Sequence, residues 1–346
     1  MNAPADLRLS ALDQSPIRSG GTPAQAVAET LELAQLCDRL GYHRYWLAEH
    51  HSSSALAGST PEILMARVAA LTKRIRVGSG GVMLSHYAPL KVAENFRMLE
   101  TLFPGRIDLG IGRAPGSDQR TAMALANGQH PLPIEYFPHQ IRDTIGFLHN
   151  ELPRGHASSG VIANPAGEDI PEIWLLGSSD QSAAYAAHFG LPFSFAHFIN
   201  PQGGPEVVKA YRQHFEPSPL HAKPEVSVGI SVLCAPTQHE AERLAKSRDV
   251  WAMRLRTTGE PGPIPSIEEA EAFVPGPEQA ALLRAIRARS IVGDPDKVRA
   301  GLLAMAELYQ ADELVCVTIC YDHAARLLSY ELVAQAMHLP ARQQAA

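Results

Sequence analysis

Along most of the chain, short apolar runs alternate with longer stretches whose apolar positions recur every three or four residues. Residues 7–13 (LRLSALD) read as a first strand. Thr22 and Pro23 then supply an N-cap and a first-turn proline, and Val27, Leu31 and Ala34, with Leu33, Leu36 and Leu40, keep helical spacing until Gly41 ends the helix. Residues 44–51 (RYWLAEHH) give a second strand that runs into an acid and two histidines. Thr60 and Pro61 repeat the start signal for a helix through Leu71, residues 74–79 (RIRVGS) form a third strand, residues 89–102 a helix, and residues 106–111 (RIDLGI) a fourth strand.

The second half continues the rhythm. Residues 172–177 (EIWLLG), 191–197 (LPFSFAH), 226–234 (VSVGISVLC) and 313–318 (ELVCVT) are strands five to eight, with helical patterns at 181–189, 206–215, 238–255 and 295–309. Short apolar strands separated by helices predict parallel βαβ units, and eight of them predict an α/β fold, a (β/α)8 TIM-type barrel built as a single domain over residues 1–346. A doubly wound open sheet is the rival. It is disfavoured because Asp13-Gln14-Ser15-Pro16 stands where a Gly-rich dinucleotide turn belongs. Two insertions interrupt the pattern: residues 131–164 before strand five, and residues 257–277 (TTGEPGPIPSIEEAEAFVPGP) before strand eight, the latter read as either a mobile active-site lid or a solvated linker.

Charge narrows the partners. A net charge of −6 with 19% charged residues gives no basic field for nucleic acid and no polybasic membrane anchor, so small polar or apolar substrates are expected. The N-terminal residues carry no cationic segment followed by an apolar core, and no later run is long enough to span a bilayer, which predicts a cytoplasmic protein. The four cysteines, Cys37, Cys234, Cys316 and Cys320, lie scattered in apolar segments and read as small buried hydrophobes.

Three constellations can carry chemistry. Glu49, His50 and His51 follow a strand, where a barrel builds its site, and supply a general acid or base near neutral pH; the alternative is a plain polar loop. A metal site is not expected, since neither an HxH after the first strand nor an HExxH occurs. Glycine-rich backbone follows strands three and four, with Gly80 and Gly81 in one stretch and Gly110, Gly112 and Arg113 running to Ala114-Pro115-Gly116 in the other. These glycines either let a flat ring approach the backbone, with Arg113 as a cation for an anionic ligand, or merely turn tight corners. Gly177, Ser178, Ser179 and Ser182, at the end of strand five and the start of a helix, offer amides and hydroxyls for a phosphate, or simply cap the helix.

The chain resembles the bacterial luciferase-like flavin monooxygenases. The resemblance covers nearly the whole length and rests on LSALDQSPI, YWLAEHH, VGSGGVML, LFPGRIDLGIGRAPGSD, WLLGSSDQSAAYAAHFGLPFSFAHF and IVGDPDKV. It implies a TIM-type barrel that binds FMN, often as a homodimer. The flavin phosphate would meet Arg113, Ser178, Ser179 and Ser182, and the ring would lie against Gly80 and Gly81, where the family has a non-prolyl cis peptide. Glu49 and His50 match the acid and the catalytic histidine. A phosphate site after strand five departs from the common barrel arrangement after strands seven and eight.

The activity so implied is that of a two-component monooxygenase. A separate NAD(P)H:flavin reductase delivers reduced FMN, which reacts with O2 to a flavin C4a-peroxide that oxidises an aldehyde or another small organic substrate, with water kept out. Luciferases proper have glutamate where Ser178 stands and a reactive cysteine where Gly112 stands, so luminescence is not expected. The alternatives are hydride transfer with the deazaflavin F420, in the same superfamily, and a non-catalytic flavin-binding protein.

Overall fold

The computed structural model describes residues 7–113, 118–126, 128 and 132–340. Its elements in chain order are β1 (Arg8–Asp13), α1 (Pro23–Leu40), β2 (Arg44–Leu47), α2 (Pro61–Leu71), β3 (Arg76–Ser79), β4 (Val82–Met83), α3 (Pro89–Leu102) and β5 (Ile107–Gly112). There follow α4 (Gln119–Leu125), α5 (Phe137–His149), β6 (Glu172–Gly177), α6 (Asp180–His188), β7 (Phe193–Ala196), α7 (Gly204–Gln213) and β8 (Val226–Cys234). The last are α8 (Gln238–Thr258), α9 (Ile267–Ala272), α10 (Pro277–Arg287), β9 (Ser290–Gly293), α11 (Pro295–Tyr309), β10 (Glu313–Val317) and α12 (His323–Ala336).

Strands pair in the order β10-β1-β2-β3-β5-β6-β7-β8, all in parallel, and β8 pairs back onto β10. The sheet is therefore a closed eight-stranded barrel, and the open-sheet alternative is excluded. Two strands escaped the hydrophobic pattern. β4 pairs with the end of β5, and β9 extends the far half of β8. Both are too short to show an alternation of their own. The insertion before the fifth barrel strand, β6, supplies a barrel helix, α5, which packs on α3; its first residue, Pro131, lies outside the described residues. The insertion before the eighth barrel strand, β10, is larger than expected and includes α8, α9, α10 and β9.

Local signals act as the sequence implies at α1, where Thr22 and Gln25 form a capping box and Gly41 closes the helix at φ 88°. At α2 the expected cap is missing. Thr60 makes no side-chain bond to the helix, and Pro61 alone marks its start.

Side-chain alternation in β2 divides the core. Tyr45 and Leu47 face the helices, while Trp46 and Ala48 join Leu12, Trp174, Val315 and Val317 inside the barrel. Trp46 and Trp174 fill that interior edge to face, with centroids 5.5 Å apart. Space for them comes from glycine: Gly78 pairs with Trp46 across the sheet, and a Cβ there would stand 2.7 Å from the indole.

Below the tryptophans, at the N-terminal ends of the strands, a buried ion network closes the barrel floor. The Arg44 guanidinium donates to Glu313 and Asp108 at 3.0 Å and lies 3.4 Å from Glu172, with its carbon 4.6 Å from the Trp174 ring centroid. Burial alone would make this cation easier to discharge, but Glu313, Asp108 and Glu172 hold its pKa well above the usual value. Replacing one member of such a network leaves its partners as uncompensated buried charge. Arg44→Ala should therefore lower unfolding free energy by about 3–5 kcal/mol in urea titrations. An unchanged midpoint would mean that the carboxylates do not rely on this guanidinium.

Candidate functional site

The chain leaves β2 still extended. Ala48 donates its N–H to Asp13 at 2.9 Å and His50 to Gly58 at 2.8 Å, so Glu49, His50 and His51 are fixed by backbone bonds at the C-terminal mouth. Glu49 is 1% exposed. Its Oε1 accepts from the Tyr87 hydroxyl at 2.7 Å and sits 2.7 Å from His51 Nε2, and its Oε2 accepts the Met83 N–H at 3.0 Å. Burial and then the Glu49 charge push the Tyr87 phenol up, so Tyr87 remains a donor. Glu49 thus clamps the segment after β3 onto the histidine pair.

His50 is different. The ring is half-buried, its Nδ1 is fully enclosed with no hydrogen-bond partner, and burial followed by the neighbouring His51 lowers its pKa to about 4. At neutral pH it is an uncharged imidazole, able to accept or hold a proton at an otherwise unused nitrogen.

Gly80 and Gly81 are joined by a cis peptide. The Gly80 N–H donates to Leu47 at 2.7 Å, and a Cβ on Gly81 would come within 2.7 Å of the Gly110 carbonyl. Close packing on β5 is therefore a sufficient reason for Gly81, and the approach of Leu12 and Trp46 for Gly80.

Across the mouth, Arg113 follows β5. Its guanidinium donates to Gln181 Oε1 and, at 3.4 Å, to Ser179 Oγ. Ser179 caps α6 by accepting the Ser182 N–H at 3.3 Å, and the two hydroxyls are 3.1 Å apart. Gly177 ends β6, where any Cβ would stand 2.4 Å from Ser182 Oγ. The structure therefore brings Arg113, Ser179 and Ser182 together at a helix N-terminus, with Ser178 beside them in the chain. Ala114, Pro115 and Gly116 lie outside the described residues.

A cavity of about 860 Å³ opens at this end of the barrel. His50 and His51 line it; Glu49, Gly80, Gly81, Ser178, Ser179 and Ser182 do not. Arg113 lines a separate hollow of about 310 Å³, and Asp118 borders both. Among the described residues, no group of three or more His, Cys, Asp or Glu is placed to hold a metal.

Most of the cavity wall was missed in the sequence. One face of α8 lies along it, carrying Arg248, Trp251, Ala252, Leu255 and Arg256 at spacings of three or four. That face mixes cations with apolar groups, so hydrophobic periodicity alone could not mark it. Gly259, Glu260 and Pro261 continue the wall. The chain is then pinned by Ile264, which is fully buried and donates its N–H to Ile17 at 2.8 Å, and by Trp251 Nε1 donating to Gly262 at 3.1 Å.

Comparison with known proteins adds the family. A sequence model described as luciferase-like monooxygenase matches residues 7–311. A luciferase-like monooxygenase of Escherichia coli K12 is 41% identical over 328 residues, 94% of this chain and 96% of that one. The N-acetyl-S-alkylcysteine monooxygenase of Bacillus subtilis 168 is 37% identical over 332 residues, covering 96% and 98%. Among solved structures, apo-MsnO8 superposes with a TM-score of 0.88 at 40% identity, over 97% of this chain and all of its own. Two more distant structures share the fold. The oxygenating constituent of 3,6-diketocamphane monooxygenase from Pseudomonas putida, in complex with FMN, has a TM-score of 0.69 at 20% identity, over 96% and 98% of the chains. An F420-dependent secondary alcohol dehydrogenase has 0.70 at 13%, over 97% and 99%.

The environment of His50 makes a pH prediction. The unfolded chain takes up the His50 proton near pH 6.5, whereas the folded chain resists it down to about 4. Neutral His50 thus favours the fold fully above the unfolded pKa, and that contribution is lost as pH falls through this window. At about 1.4 kcal/mol per pKa unit, it amounts to at most about 3 kcal/mol. The stability difference between wild type and His50→Asn should therefore shift in favour of the variant between pH 6.5 and 4. Parallel pH–stability curves would contradict the buried, unpaired imidazole.

Proposed function

The chain belongs to the luciferase-like monooxygenase family, and from that membership we propose that it is the oxygenating component of a two-component system, using FMN reduced elsewhere and O2 to oxidise a small organic substrate. One observation carries the reading. A cation and two hydroxyls, Arg113, Ser179 and Ser182, converge at the N-terminus of α6, while an uncharged, unpartnered histidine faces a cavity of about 860 Å³.

The residues fit the flavin in charge and in shape. Arg113 and the hydroxyls of Ser178, Ser179 and Ser182 would hold its phosphate, supported by the α6 amides. The ring would lie beside the bulge at Gly80 and Gly81, where Leu12 and Trp46 at the first and the Gly110 backbone at the second leave no room for a side chain. Bound reduced FMN would supply the oxygen chemistry; the protein's part is to position, to exclude water and to manage a proton. Leu56, Trp251, Leu255 and Ile319 give the cavity its apolar surface. The His50 imidazole, which lines the cavity, is the group that would give or take the proton at the reacting edge, and Glu49 positions it through the clamp on Tyr87, His51 and Met83. The segment 259–261, on the cavity wall between the end of α8 and the anchors at Gly262 and Ile264, is the piece that would close over a bound substrate.

Oxygen chemistry is favoured over hydride transfer with F420 because the relatives at 37–41% identity are named monooxygenases, whereas the F420-dependent neighbour is 13% identical. The placement of His50 argues for catalysis over flavin storage.

Two measurements test the reading. Arg113→Ala combined with Ser179→Ala should weaken FMN binding about tenfold or more, and unchanged affinity would move the phosphate elsewhere. His50→Ala should keep FMN affinity within about twofold but slow substrate oxidation on the order of a hundredfold, measured by rapid mixing of the reduced-FMN complex with oxygenated buffer and an N-acetyl-S-alkylcysteine as first substrate. Turnover equal to wild type would remove His50 from the chemistry.

A further inference from the structure

Three arginines face the cavity, and they are not equivalent. Arg248 is paired where it stands, donating to Asp249 at 3.2 Å and to Ser290 Oγ at 2.6 Å, with Asp249 shared by Arg287. Arg256, two turns further along α8, and Arg289, just beyond α10, are not. Arg289 donates to the Ile199 carbonyl at 3.3 Å, and among the described residues neither arginine makes an ion pair and Arg256 makes no hydrogen bond. The two stand within electrostatic reach of each other, since after burial it is the Arg289 charge that weakens the Arg256 proton. Glu260 and Asp118 are the carboxylates on the same wall, and Asp118 accepts from Thr121 at the start of α4. Trp251, Leu255, Ile286 and Ile319 surround the arginines with apolar surface.

Two like charges on the wall of one cavity repel each other, and neither has a carboxylate partner among the described residues. An anion between them would relieve both, and a planar guanidinium fork matches a carboxylate best. We propose that this wall selects an organic carboxylate, its head group held between Arg256 and Arg289 and its apolar body laid along Trp251 and Ile319. Calling that ligand the substrate rests on the monooxygenase reading; the binding site itself does not. The group is separate from the Arg113–Ser179–Ser182 cluster, which lies outside this cavity's lining.

Octanoate and octanamide, which share a chain length and differ in charge, are suitable probes. Binding is read at fixed ionic strength and pH 7.5 by calorimetry and by the quenching of tryptophan fluorescence, without flavin turnover. Octanoate should bind the wild type about tenfold tighter than octanamide. Arg256→Gln and Arg289→Gln should each reduce that preference and together abolish it, Arg256→Lys should keep most of it, and FMN affinity should be unchanged in all four. Equal binding of acid and amide by the wild type would overturn the proposal, as would a preference that survives the double replacement. Weakened FMN binding in the glutamine variants, with octanoate displaced by inorganic phosphate, would assign the arginines to the flavin phosphate and also overturn it. A carboxylate preference in a protein that consumes no oxygen would uphold this site while removing the monooxygenase reading.

Discussion

The guanidinium of Arg44 joins four strands at the closed end of the barrel. It stands at the start of β2 and meets Asp108 of β5, Glu172 of β6 and Glu313 of β10, with Trp174 against its face. Charge buried this deeply is tolerated only when its partners are in place, so the network ties the relative positions of those strands to one another. The same short strand then runs up the barrel wall. At about 3.3 Å per residue, His50 emerges about 20 Å from Arg44, at the opposite end. One element thereby links the sealed floor to the open mouth.

What stands at the mouth follows from that geometry. Glu49, unable to face water, gathers the Tyr87 hydroxyl, the Met83 amide and His51, and so fixes the loop after β3. His50 receives no such partner and stays neutral. Arg113 meets the serines capping α6 on the β5–β6 side, and arginines line the cavity on the α8–α10 side. On the proposed reading the site divides between a place for an anionic cofactor tail, a neutral proton-handling group, and a second anion-seeking surface facing the larger cavity.

The barrel was legible because its signals are local. Glu172–Gly177 and Val226–Cys234 begin and end where their apolar runs do, and α1 starts and stops at its capping threonine and its glycine. The same holds for Arg113 with Ser179 and Ser182: each follows a strand, and a closed parallel barrel must bring strand ends together. β4 and β9 were not legible, since β4 has two residues and β9 offers only Ile291 and Val292 between Ser290 and Gly293. Neither were Tyr87, Arg256 and Arg289. Their importance comes from pairing across the fold, or from the lack of it, and hydrophobic patterning is blind to which polar group goes unpartnered. Conversely, Glu49 looked like a group facing a ligand, and the structure gives it to the protein instead.

The central claim is that the mouth between β3, β5 and α6 holds FMN and leaves the α8 side for substrate. The most direct test is an experimental structure of the protein crystallised with FMN. The account predicts the phosphate on Arg113, Ser179 and Ser182, the ring beside Gly80 and Gly81, and His50 within hydrogen-bond reach of its reactive edge. A phosphate seated between Arg256 and Arg289, or a ring distant from the Gly80 bulge, would contradict it.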